Sequence, residues 1–168
     1  MNTQNRNYHE SGFTLIELLI VMSIILILAT LAIPAMQKSI IRANETSAIA
    51  SLKAITSAEN NYSSDYPTHG FACNLAQLGG KPDAGSPSPD GAQLIQDDLA
   101  GGHKSGYTFS IVCGGKTTIN NQDQFNSYVL TAVPNSVGHS GNRGFCTDEN
   151  SQIHFDPKGS TSCTELLQ

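Results

Sequence analysis

Hydrophobic and polar positions divide the chain into stretches of different character. Residues 1–12, MNTQNRNYHESG, are polar. From Phe13 to Met36 the chain runs 24 residues with one charge, Glu17. A hydrocarbon core about 30 Å thick takes roughly 20 helical residues, so this run is long enough to span one. Over residues 37–66 the pattern becomes amphipathic. Ala48, Leu52, Ile55, Tyr62 and Tyr66 fall on one helical stripe, and Glu59 fills its gap. Lys38, Arg42, Glu45, Lys53 and Asn60 are expected mostly off that stripe, and Pro67 ends the pattern. The spacing predicts one helix from Phe13 to about Asn61, roughly 70 Å long at about 1.5 Å per residue. A body this small cannot cover so long a helix. Its first half is therefore expected in lipid or against copies of itself.

Residues 67–168 form the predicted extracytoplasmic, β-rich body. Gly79 to Gly91, GGKPDAGSPSPDG, reads as a loop, and AQLIQDDLA after it as a short helix or turn. Tyr107 to Cys113 alternates as a half-buried strand, with the following Gly-Gly opening a turn. Ser127 to Val133 is a second strand, closed by Pro134. GNRGFCTD and QIHFDPKG read as two short strands around a turn at Glu149 to Ser151, and DPKG turns the chain again. Sequential short strands joined by turns imply a small antiparallel sheet. A helix laid on its apolar face makes the fold class α+β.

Charge and cysteine content narrow the setting. The net charge is −5 and the pI about 5.4, which argues against a nucleic-acid partner held by bulk charge. Cys73, Cys113, Cys146 and Cys163 all lie in the polar body, the pattern of disulfides in an oxidising compartment. Three pairings are possible. Closure of the nearest loops favours Cys73–Cys113 and Cys146–Cys163, the second worth about 3 kcal/mol in the chain-entropy view. No C-x-x-C pair supports a zinc site.

Candidate chemistry is sparse. His9, His69, His103, His139 and His154 are scattered without companion motifs. GHKSG and GHSGNRG look superficially like phosphate loops, but neither follows a strand and opens a helix. Asp148, Glu149 and Asp156 offer oxygens for calcium without EF-hand spacing, and solvated turns are the plainer reading. There is no catalytic constellation and no cofactor motif, so an enzyme is not expected.

The N-terminal stretch is the most specific feature. A cleaved secretory signal fits poorly with so long an apolar run and with Glu17. A plain anchor leaves Gly12 and Glu17 without a role. GFTLIELLIV followed by AIP, Gly12 to Pro34, resembles the N-terminal signature of type IV pilins and the type II secretion pseudopilins. A looser likeness continues through Ala58 to Gly80. The resemblance implies a leader of residues 1–12, removed by a prepilin peptidase between Gly12 and Phe13, with N-methylation of Phe13. It implies a pilin-like fold, with a membrane or filament-core helix over 13–36 continuing through 37–66 into the body at 67–168. It also implies a single-pass inner-membrane protein with its body in the periplasm. Its partners would be copies of itself, other pilin-like subunits, an inner-membrane assembly platform and lipid.

Residue chemistry accompanies that expectation. Glycine at the cut lets the backbone enter an extended protease cleft. Cleavage creates an amine at Phe13, i and i+4 from Glu17, so the carboxylate gains a partner in its own or an adjacent subunit. Pro34 lacks an amide hydrogen and is expected to kink the helix. Arg6 alone precedes the apolar run while Lys38 and Arg42 follow it, a bias that by itself favours the opposite orientation. The cysteines and the processing signature demand leader-inside. Leu26 stands in the region where the family often has a glycine. The expected function is a structural subunit of a pilus-like filament. The alternatives are a type II secretion pseudopilin, or an anchored periplasmic binding protein or enzyme that does not polymerise.

Overall fold

The computed structural model describes residues 12–80 and 85–167, with backbone alone at 31, 32, 34 and 35. The leader up to Ser11 and positions 81–84 of the predicted loop lie outside the described residues. The chain divides into two units, Met1–Lys38 and Ser39–Gln168.

Helix α1, Leu15–Asp65, begins in the first unit and ends in the second. It starts two residues later and ends four residues later than the sequence pattern suggested. Residues 26–34 are helical throughout, so within this chain Leu26 to Pro34 does not unwind. In the first unit the described apolar side chains from Phe13 to Leu28 are exposed. Leu15 is 92% exposed and Leu19 66%. Ser23 and Thr30 satisfy their hydroxyls within the helix, on the carbonyls of Leu19 and Ile27. That is how such groups are tolerated in an apolar surrounding.

In the second unit the same helix buries a stripe. Ala48, Leu52, Ile55, Glu59 and Tyr62 are buried and Tyr66 is half-buried against their cluster, as the periodicity predicts. Glu45 is buried too, against the expectation that it sits off the stripe. It lies three residues before Ala48, on the same face. The fold supplies its charge with a partner.

The sheet covers that stripe. Six strands, β1 (His103–Lys104), β2 (Tyr107–Ile119), β3 (Gln122–Pro134), β4 (Gly144–Asp148), β5 (His154–Asp156) and β6 (Glu165–Leu166), pair antiparallel in sequence order. Their inward side chains, Tyr107, Phe109, Tyr128, Leu130, Ala132 and Phe145, share one core with the helix stripe. Two short helices, α2 (Leu75–Leu78) and α3 (Asp97–Ala100), complete it with Leu75, Leu78 and Leu99.

One expectation about the sheet fails. Gly114-Gly115 does not open a turn; β2 runs on to Ile119. The turn is at Asn120-Asn121, both with positive φ (54° and 64°), the two-residue geometry that matches strand twist. Asparagine tolerates that backbone as few other residues do. The register runs from Tyr107↔Pro134 to Ile119↔Gln122, and the far half of this hairpin is exposed.

Both expected disulfides are present. Cys73–Cys113 ties the segment after α1 to β2, with Cα atoms 5.3 Å apart. Cys146–Cys163 ties the C-terminal segment to β4 at 6.0 Å.

Candidate processing and assembly site

The apolar helix opens with a reciprocal cap. Thr14 donates its backbone N–H (3.0 Å) and its hydroxyl (2.7 Å) to Glu17 Oε2. The Glu17 N–H donates back to Thr14 Oγ1 at 3.2 Å. Thr-x-x-Glu is the capping-box pattern, which satisfies helix-end donors that otherwise have no partner. The sequence carries this signal in Thr14-Leu15-Ile16-Glu17. Glu17 thus has a partner in the uncut chain, through one oxygen. Gly12 has open space around its Cα, and Phe13 is 85% exposed. The peptide bond between them is therefore accessible, and Phe13, Thr14 and Glu17 lie together at the head of the apolar helix.

Among the described residues no helix is long and apolar enough to cross a membrane. The uninterrupted stretch whose side chains are described, Leu15–Thr30, is shorter than a full span.

The body is fastened to α1 by charge as well as by core. Arg143 donates to Glu45 Oε2 from Nε (2.9 Å) and Nη2 (2.7 Å). Glu45 Oε1 accepts the backbone N–H groups of Asn142 and Arg143. The Arg143 guanidinium lies 5.3 Å from the Phe145 ring centroid and 5.4 Å from that of Phe155. A buried carboxylate is tolerable when every lone pair is used in this way. Tyr107 adds an O–H donated to the Arg143 carbonyl. The sequence pattern left Glu45 off the stripe, and nothing in the sequence pointed at Arg143, 98 residues away.

The other candidates do not converge. Asp148 accepts from the Asn150 backbone, Asp156 from Ser160 and Lys158, and Glu149 from the Tyr128 N–H. Gly144 pairs with Asp156 while Asp148 ends the same strand four residues on, so the two aspartates sit at opposite ends of β4. Asp148 and Asp156 each close a turn of their own, and Glu149 reaches back to β3. Among the described residues no cluster of His, Cys, Asp and Glu could hold a metal. GHKSG is the β1–β2 hairpin, turned by Ser105 and Gly106 at positive φ. His9 lies outside the described residues.

A family model, the prokaryotic N-terminal methylation motif, matches residues 7–33. The chain is 36% identical over 86 residues to the type IV major pilin protein PilA of Myxococcus xanthus (strain DK1622), covering 51% of this chain and 38% of that protein. The matched part therefore spans well under half of that relative's length. No solved structure matches the chain. The chain carries the prokaryotic N-terminal methylation motif and resembles a type IV pilin.

Proposed function

We propose that this protein is a structural subunit of a type IV pilus-like filament. It is stored as a single-pass inner-membrane protein with its body in the periplasm. A prepilin peptidase cuts between Gly12 and Phe13, and Phe13 is N-methylated. The mature chain then polymerises through its apolar helix, with copies of itself and other pilin-like subunits, on an inner-membrane assembly platform. Pro34, without an amide hydrogen, is the weak point at which the helix bends as it leaves the bilayer.

The observation that carries this reading is the pairing of the motif with an apolar helix exposed on every side. That helix starts two residues after the proposed amine. An apolar surface of that extent needs lipid or other protein around it. The similarity to a major pilin favours a pilus over a type II secretion pseudopilin.

Glu17 does two jobs in this scheme. Oε2 caps the helix through Thr14. The carboxylate charge draws the Phe13 amine of an adjacent subunit, which offsets the cost of placing the acid in an apolar surrounding. Glu17→Gln retains an oxygen for the cap and loses the charge, whereas Thr14→Val loses part of the cap and keeps the charge. Filament yield is expected to collapse in Glu17→Gln and to survive in Thr14→Val. The reverse order would leave Glu17 as a cap alone. Mass spectrometry of the natural N-terminus tests the processing step: the mature chain is expected to begin at methylated Phe13, and a chain beginning elsewhere overturns it.

A further inference from the structure

Glu59 is a carboxylic acid with no exposure, in the centre of the core. Oε2 accepts the Ala72 N–H at 2.8 Å. Oε1 is buried with no hydrogen-bond partner. An unpaired, ionised carboxylate in such a place is costly, and the usual relief is to carry the proton or to open the structure.

The groups around it offer no counter-charge. From α1 comes Tyr62, whose O–H is donated to the Pro89 carbonyl and which feels Asp90 in the stretch before α3. From β3 comes Tyr128, whose buried hydroxyl interacts with Thr56 and which feels Asp148 and Glu149 from the end of β4 and the turn after it. No lysine or arginine acts on Glu59.

The stretch that Glu59 holds links helix to sheet. His69 and Gly70 bond back to the Tyr66 carbonyl at the end of α1. The Phe71 N–H donates to the Phe125 carbonyl, and the Phe125 N–H to the His69 carbonyl. Gly70 has φ +74°, and a Cβ there would run into the Phe125 carbonyl, so glycine is required for this approach. The Phe71 ring meets Tyr128 edge-on at 5.0 Å. Beyond Ala72, the Cys73–Cys113 bond keeps the chain attached whatever this stretch does. The same stretch therefore braces the β2–β3 hairpin at Phe125, opposite Lys116.

We propose that Glu59 is a proton-operated latch: protonated, it clamps residues 69–72 to α1, and on losing its proton to solvent it lets them go. Burial raises the closed-state carboxyl from its ordinary 4.5 to about 8, against a smaller opposing pull from the Ala72 N–H. In the open state the carboxyl returns to its ordinary range. The open form therefore binds fewer protons between these two values. Opening gains about tenfold per pH unit across that window and levels off above it, so the latch is tightest in acid.

Amide hydrogen exchange on the full chain in detergent micelles tests this, with rates corrected for intrinsic exchange. Protection of the Ala72 amide is expected to fall about a hundredfold between pH 5.5 and 7.5, at tenfold per unit. It should stay at least tenfold below that of Leu130, which marks global unfolding. Glu59→Gln, neutral at every pH and able to accept from Ala72, should flatten the profile. A flat wild-type profile, the same slope in Glu59→Gln, or equal protection at Ala72 and Leu130 throughout would each overturn the latch. If Glu59→Gln does not fold, a carbon-13 carboxyl titration of the wild type decides: a Glu59 midpoint below pH 6 sinks it.

Discussion

Leu19 and Leu52 are the same residue type in the same helix, and their surroundings are opposite. Leu19 is 66% exposed and Leu52 is fully buried. Nothing in helix propensity distinguishes them. What differs is the neighbouring chain: residues 39–65 have a sheet to lie on, and residues 15–38 have no covering element of their own among the described residues. In the second unit the stripe repeats at three and four residues, Glu45, Ala48, Leu52, Ile55, Glu59, Tyr62, and Arg42, Thr46, Lys53, Ser57 and Asn60 are exposed on other faces. In the first unit apolar residues occupy every face. A one-sided stripe answers one partner, whereas an all-round surface answers a surrounding medium or several neighbours.

The comparison is sharpest where burial is complete. Leu52→Ala leaves a cavity between α1 and the sheet and is expected to cost about 4 kcal/mol of body stability. Urea unfolding of the full chain in detergent, followed by tyrosine fluorescence, would measure it. A loss under about 1 kcal/mol would mean that the helix is seated on the sheet by something other than this stripe.

Glu45 tests whether the stripe is defined by position or by apolarity. It is buried on the same face, although the sequence pattern puts it off the stripe. Glu45→Ala would strand the Arg143 guanidinium and two backbone N–H groups together, at an expected cost of about 2 kcal/mol. Arg143 is partly exposed and water can reach it, which keeps the figure below that of a fully buried pair. Adding Arg143→Ala should recover part of the loss. Equal losses in the single and double variants would show that the backbone contacts of Glu45, and not the ion pair, carry the effect.

These cases show what was legible in the sequence and why. The α1 stripe, the β2 and β3 cores and the two short C-terminal strands were visible, because periodicity reports burial directly. Both disulfides followed from loop closure. The extent of the hairpin was not visible. Gly114-Gly115 carries a turn signal, and only pairing with Ser127 and its neighbours overrides it. Strands β1 and β6 are two residues each, too short to show a period. Arg143 was invisible because its role depends on a contact far away in sequence. Thr14 is legible in the sequence as the head of a four-residue capping box. At the candidate site the sequence supplied Gly12, Phe13 and Glu17, and the structure added the bonds that hold the head of the helix in order.

The smallest expected effect is the most pointed test of the comparison. Leu19→Ala removes the same atoms as Leu52→Ala, from the same helix. Leu19 is exposed in its own unit, so no cavity forms there. Body stability should change by less than about 0.5 kcal/mol, within the range of exposed substitutions. Its cost should appear only when copies assemble, as lower filament yield, because the contact it removes belongs to a neighbouring molecule. A full-sized loss of body stability would mean that the apolar half of α1 folds back on its own body, and the contrast between the two leucines would disappear. Unchanged stability with unchanged filament yield would place Leu19 on a face that meets lipid in storage and nothing afterwards. That outcome would confine the assembly surface to the other sides of the helix, and the same substitution moved one residue at a time through Leu18, Ile20 and Val21 would then map which side it is.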